Sequence, residues 1–472
     1  MLKNNKTNYE LNATGTKISN FEIEGGRKLS GSVVSNASKN GSVGLLCASL
    51  LNKGITVLHG ISKIEEVFRV IEVLQSIGVK IKWIGEQTLE IILPEKLKME
   101  NLDIEAAIRT RSIIMLAGPL LHHFKNFILP HAQGCQLGKR TVSSHIYSLE
   151  EIGVKIKVTD KNYEFNYKKL KNNRTIIMNE SSDTACENIL IASALIPGKT
   201  IIKYASSNYM VQEMCFFLEK LGVKIEGIGT STLVVHSFPR LDLKNSKRSD
   251  LRKSPNLTPL YVKNIEYTNS EDPIESMMWL TAAIVTNSKL EIKKCPIDFL
   301  ELELYKLKKM GLKYKILKSY KSKNEKTNLV DILVFPSVLK ALEDKIEAKP
   351  YPGINIDNLP FFGIIAACAK GETLIHDWVF ENRAIYLTEL NKLNANVSLT
   401  DPHRVFIKGP TKFTPTQVIC PPALRPSVVI MLAMIAAPGK SILRNVYMIN
   451  RGYENIVERF NSIGAKIKIT QD

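Results

Sequence analysis

Hydrophobic and polar positions along the chain repeat one phrase six times. A segment with helical spacing ends in a small residue, and a short stretch follows in which apolar residues alternate with polar ones, mostly lysine. The copies are IGVKIK at Gly78 and again at Gly153, LGVKIE at Gly222, MGLKYK at Gly311, LNANVS at Asn394 and IGAKIK at Gly464. Glycine or asparagine stops a helix at low cost because it accepts left-handed backbone, and period-two alternation suits a half-buried strand. The intervals are 75, 69, 89, 83 and 70 residues. Six copies at a near-constant period imply one folding unit used six times.

A second series is interleaved with the first. Small-residue-rich apolar stretches occupy 44–51, 112–121, 188–196, 277–285, 361–369 and 428–437. Most run into a strand of the type KGITVL at Lys53, PGKTII at Pro197, KGETLI at Lys370 or PGKSIL at Pro438. Helices apolar nearly all round are expected inside a domain. Those preceding the capped strands, such as EEVFRVIEVLQS and VQEMCFFLEK, carry charge on one face and are expected outside. Each unit therefore reads as buried helix, strand, surface helix, strand, with a further strand to pair. At 472 residues the chain exceeds what one core organises, and two domains of three units each follow. Polar stretches at 240–256 and 320–328, the latter YKSKNEKTN, read as a linker and an inserted loop. Residues 1–17 lack periodicity and are expected to be disordered.

Composition narrows the function classes. No apolar run reaches the length of a membrane span, and the first residues lack a secretion-type apolar core, so a cytoplasmic chain with no membrane partner is expected. Seven cysteines without paired spacing fit a reducing compartment, and neither CxxC nor HExxH occurs to suggest a metal site. The formal charge of +18 is spread along strands and surface helices without an aromatic-basic motif. That pattern argues for solvated lysine faces rather than a nucleic-acid partner.

The densest polar loop is PHAQGCQLGKR, residues 130–140. Cys135 lies there between two glycines, with Lys139 and Arg140 following. Electropositive surroundings lower a thiol pKa and make it a usable acid or nucleophile, although an incidental cysteine fits the local sequence equally. The loop resembles the G-G-C-x-I-G-x-R loop of the UDP-N-acetylglucosamine 1-carboxyvinyltransferase family of enolpyruvyl transferases. Further matches follow in chain order: SNASKNGSVGLL with Lys39 and Asn40, RTRSIIMLAGPLL with Arg111, and GINIDNLPFF with Asp357. VFENR with Val379 and Arg383, LRPS with Arg425, and INRGYE with Arg451 complete the set.

This resemblance implies an α/β fold of two inside-out α/β barrel domains, three units each, with the active site in the cleft between them. One domain is expected at 39–264, carrying the Cys135 loop, and the other at 18–38 plus 265–472. The implied reaction joins the enolpyruvyl group of phosphoenolpyruvate to the 3-hydroxyl of a UDP-sugar, UDP-N-acetylglucosamine, and releases phosphate, at the start of peptidoglycan precursor synthesis. Phosphoenolpyruvate carries a phosphate and a carboxylate, and arginine forks match both. The resemblance assigns Lys39, Arg140 and Arg451 to the phosphate region, with Arg111 nearby, and Arg383 and Arg425 to the carboxylate. It makes Cys135 the proton donor or the site of a reversible adduct, and Asp357 the group that engages the attacking hydroxyl. Asp357 alone also fits a helix-cap position. Asn40 and Ser182 become acceptor contacts, and no metal or organic cofactor is required.

On the acceptor side the chain departs from the family. Glu180 stands where a lysine is usual, Thr184 where a glycine is, Pro273 replaces an arginine and Ala423 an acid, and SSNYMV from Ser206 replaces R-E-P-E-I. The alternatives are a paralogue acting on another nucleotide or sugar acceptor, and a non-catalytic binding relative of the same fold.

Overall fold

The computed structural model describes residues 19–132, 142–237, 263–379 and 382–471. The expected disordered segment 1–17, the linker 240–256 and the Cys135 loop lie outside the described residues.

All six punctuation residues have positive φ: 100° at Gly78, 92° at Gly153, 110° at Gly222, 105° at Gly311, 69° at Asn394 and 101° at Gly464. Each turns the chain from a helix into an outer strand, and the described strands form six small sheets, one per unit. The third unit shows the plan. Strand Thr175–Ile177 leads into helix Asp183–Ser193, strand Gly198–Lys203, helix Tyr209–Leu221 and the hairpin of Lys224–Glu226 with Thr232–Ser237. The first two strands pair parallel and the others antiparallel.

The first helix of each unit is the buried one, except in the second, where the partly exposed Ile104–Arg109 precedes it. Pro273–Val285 is buried at every residue but its last, and Leu359–Cys368 likewise. These two and Leu424–Ala436 pack on one another, as Lys39–Ala48, Ala117–Leu120 and Asp183–Ser193 are grouped in the other half. Helices thus sit within and sheets without, because only an all-apolar helix can lose solvent on every side. The six sheets remain separate, so within each half the barrel-like arrangement comes from packing among the described elements.

One expectation needs correction. The stretch 112–121 is a 3-10 segment, Arg111–Leu116, followed by the short helix Ala117–Leu120. Pro119 lacks the N–H a continuous helix needs, and the Gly118 N–H is taken by Asn188 Oδ1 at 2.7 Å. The segment 320–328 is a hairpin turn, as its polar run suggests: 322–327 joins Lys313–Lys321 to Asn328–Phe335, which pair antiparallel. Its lysines, Lys321, Lys323 and Lys326, are exposed.

The units are interlocked by exchanged strands. Ser32–Val34 pairs with Leu290–Pro296 of the fourth unit, and Ile265–Thr268 pairs with Thr56–His59 of the first. Ser19–Gly25 completes the sixth sheet, between Gly439–Arg444 and Ile467–Gln471. Ile265–Thr268 thus completes the sheet of the first unit and Ser32–Val34 that of the fourth, each next to one of the crossing segments 35–38 and 269–272. The crossings are joined by Ser38 N–H to Ser270 O at 2.7 Å and Asp272 N–H to Asn36 O at 2.8 Å. Asn269 donates to Ser38 O, Ser42 Oγ and Gly60 O. Lys39 and Asn40 follow directly, where the chain passes from one half to the other.

Candidate active site

Lys39 is the first residue of helix Lys39–Ala48, whose start is fixed by Ser38 Oγ accepting from Gly41 N–H at 2.9 Å. Its Nζ is 2.6 Å from Glu66 Oε2 on the surface helix Glu65–Ser76. Ser112 Oγ donates to Glu66 Oε1 at 2.7 Å, and Arg451 Nη2, from the sixth unit, stands 4.0 Å from Glu66 Oε2. Burial opposes ionisation of Glu66, but the charges of Lys39 and Arg451 and the bonds from Lys39 and Ser112 outweigh it and hold the carboxyl at about 2. A fixed anion therefore sits between two cations drawn from the first and last units.

A second group is built around Asp357, just ahead of the buried helix Leu359–Cys368. Asp357 Oδ1 is 3.7 Å from Arg383 Nη1 and Oδ2 is 3.4 Å from Arg425 Nη2. Arg383, 4% exposed, is clamped by Asp377 Oδ2 at 2.6 Å and by the carbonyl of Ile356. Arg425, 7% exposed, donates to Tyr453 Oη at 2.5 Å and lies over its ring. These clamps hold both guanidiniums in place without a ligand, so little reorganisation is left for an incoming anion.

Asn40 and Asp272 connect the groups. Asn40 Nδ2 donates to Tyr209 Oη at 3.0 Å, and Asp272 Oδ2 accepts from Lys39 N–H at 3.2 Å. Burial drives the Tyr209 phenol well up, with the charges of Asp272 and Asp357 adding to the rise. Asp272 is itself raised by burial, against the pull of Arg425.

Arg111 opens the 3-10 segment, and its charge adds to the burial that lowers His145 to about 3. Ser182 precedes helix Asp183–Ser193, and Val379 is half-buried against the core beyond strand Gly371–His376. Glu180 is exposed, and Thr184 Oγ1 is 3.2 Å from His145 Nε2. Cys135 and Arg140 lie outside the described residues. The six described cysteines all have thiols pushed up by burial, Cys420 to about 11 and Cys295 and Cys368 to about 12. Among the described residues no group of three His, Cys, Asp or Glu could hold a metal ion.

Lys39, Asn40, Asp357, Arg383, Arg425 and Arg451 are thus gathered from both halves. Sequence reasoning missed Glu66, Tyr209, Asp272 and Tyr453. Tyr453 belongs to the INRGYE motif and was within reach; Glu66 lies in an ordinary amphipathic pattern that carries no such signal.

The model of the EPSP synthase (3-phosphoshikimate 1-carboxyvinyltransferase) family matches residues 23–460. The chain is 31% identical over 456 residues to the UDP-N-acetylglucosamine 1-carboxyvinyltransferase of Bradyrhizobium diazoefficiens, covering 95% of this chain and 97% of that protein. It is 30% identical over 452 residues to the enzyme of that name from Treponema denticola, covering 96% and 99%. Among solved structures it is similar to the enolpyruvyl transferase NikO from Streptomyces tendae, with a TM-score of 0.79 and 22% identity over 97% of this chain and 100% of that one. An EPSP synthase from Acinetobacter baumannii gives 0.71 at 17% identity, over 96% and 100%.

Proposed function

The chain belongs to the UDP-N-acetylglucosamine 1-carboxyvinyltransferases of the EPSP synthase family. On that premise we propose that it transfers the enolpyruvyl group of phosphoenolpyruvate to the 3-hydroxyl of UDP-N-acetylglucosamine and releases phosphate, the first committed step of peptidoglycan precursor synthesis. The single observation that carries the reading is the pair of preset anion sites. Glu66 lies between Lys39 and Arg451, and Asp357 lies between Arg383 and Arg425, with the four cations coming from the first, fifth and sixth units.

In this reading Lys39 and Arg451, with Arg140, hold the phosphate, and Arg383 and Arg425 take the carboxylate. The acceptor oxygen attacks C2 as its proton passes to Asp357, and C3 gains a proton from Cys135. Loss of that C3 proton and departure of phosphate from the tetrahedral intermediate restore the double bond. Asn40, tied to Tyr209, faces the acceptor. Both reactants are soluble metabolites, so the reading places the enzyme in the cytoplasm; among the described residues no helix is long and apolar enough to cross a membrane.

A second acceptor is favoured by one observation. Asp183, at the start of the helix after Ser182, is a carboxyl that burial raises, close enough to Asp357 for the two charges to interact. An acidic group there disfavours a diphosphate. The deciding assay measures phosphate release and enolpyruvyl product mass with phosphoenolpyruvate and UDP-N-acetylglucosamine. Product of the expected mass supports the reading, whereas turnover only on another acceptor replaces it with the second. Arg451→Ala is expected to abolish turnover while the chain still unfolds in a cooperative transition; near-wild-type turnover removes Arg451 from the phosphate site.

A further inference from the structure

The loop that carries Asp357 is tied across the cleft by a continuous chain of hydrogen bonds. Asn355 Oδ1 accepts from Asp357 N–H at 2.9 Å. Asn355 Nδ2 donates to Asn208 Oδ1 at 3.3 Å, and Asn208 Nδ2 donates to Asp183 Oδ2 at 3.0 Å. Ser206 Oγ donates to Asp183 Oδ1 at 2.5 Å and accepts from Asn208 N–H at 3.2 Å. Asn208 Oδ1 also caps helix Tyr209–Leu221, accepting from Tyr209 N–H at 2.8 Å. Alongside, Ser207 Oγ donates to Tyr351 O at 3.1 Å.

The two ends lie in different halves. Asp183 and 206–208 belong to the third unit, and Asn355 and Asp357 lead into the fifth. On the far side the loop is fixed by Glu303, whose Oε1 accepts from Asn355 N–H at 3.2 Å and Asn358 Nδ2 at 2.9 Å. Asp357 is therefore anchored at its rear by its own half and at its front by the other.

We infer that Asn208 and Asn355 are positioning residues that set Asp357 against the acceptor from across the cleft, with Asp183 as the fixed end of the relay. The inference rests on the reading of Asp357 as the group that takes the acceptor's proton. An amide is suited to each intermediate place because it accepts on one side and donates on the other, which transmits a direction along the chain. Asp183 is raised by burial and also by the charge of Asp357, so the two carboxyls stand within electrostatic reach across the cleft.

The test uses the full chain, phosphoenolpyruvate and UDP-N-acetylglucosamine. Asn355→Ala and Asn208→Ala are each expected to lower kcat about ten- to a hundredfold, the scale on which a misplaced group costs rate, while KM for phosphoenolpyruvate holds. Asn208→Asp sets two carboxylates against each other and is expected to lose more. Adding Asp183→Asn reverses the donor and acceptor and restores kcat to near the wild-type rate. A raised KM with unchanged kcat, or a reversed pair no better than Asn208→Asp, overturns the inference. If loss of the helix cap unfolds Asn208→Ala, Asn355→Ala decides, since it caps nothing. If the wild type turns over no acceptor, the functional reading falls. The relay is then judged by a double-mutant cycle of Asn208→Ala and Asn355→Ala in unfolding, where coupling supports it and additivity overturns it.

Discussion

Glu66 shows how much a single side chain contributes to this site before any substrate arrives. It is a carboxylate of low exposure between Lys39 and Arg451, and it keeps two cations of different halves at one place. Its folded pKa of about 2 lies below its ordinary value of 4.5. The stabilisation is therefore complete above pH 4.5 and lost as pH falls through 2; a difference of this size corresponds to about 3 kcal/mol. Glu66→Gln is expected to lower the unfolding free energy by roughly that amount at pH 7 and by almost nothing near pH 2. Equal deficits at both pH values would sink the ion-pair account. The candidate cations were legible because each sits in a short recognisable motif. Glu66 was not, because EEVFRVIEVLQS looks like any helix with a charged face, and what lies opposite that face comes from residues 39 and 451.

Among the helices and strands, the cap residues explain why the six units were visible. A left-handed stop constrains residue type by itself, so each leaves a mark wherever it occurs. Close packing between inner helices constrains type too, but with no local signature. A Cβ on Gly118 would lie 2.5 Å from the carbonyl oxygen of Asn188 and 2.6 Å from its Oδ1. Gly118→Ala is therefore expected to cost about 1–3 kcal/mol by overpacking and by disturbing the Gly118–Asn188 bond, read as a lower denaturation midpoint at unchanged m-value. A neutral outcome would mean that the Ala117–Leu120 helix can move away from Asp183–Ser193. The same crowding explains why 112–121 is not the single helix its apolar pattern suggests.

At the scale of the whole molecule, the two halves meet on either side of the crossing segments. Opposite the relay, Glu213 of helix Tyr209–Leu221 accepts from Tyr267 Oη at 2.8 Å, Ser270 N–H at 3.1 Å and Asn324 Nδ2 at 3.3 Å, the last from the turn at 322–327. Burial raises its carboxyl to about 7 against those three bonds, and the charge of Glu271 adds to the rise. A raised folded pKa means that the favourable contribution is full below 4.5 and lost as pH climbs to 7. Above that, holding the charge costs about 3 kcal/mol. Glu213→Gln is expected to gain stability relative to the wild type between pH 5 and 8, by up to that amount, in paired denaturation curves. Parallel pH profiles would remove Glu213 as the titrating group. The six-unit plan, the inner and outer helices and most of the candidate cations followed from the sequence alone, because periodicity, caps and motifs are local and each restricts residue type where it stands. Which strands are exchanged between halves, the anions that hold the cations together, and the Asp183–Asn208–Asn355–Asp357 relay were decided by tertiary structure. Each joins residues far apart in the chain, 147 positions for Asn208 and Asn355, and polar partners at such separations leave no period for a sequence to display.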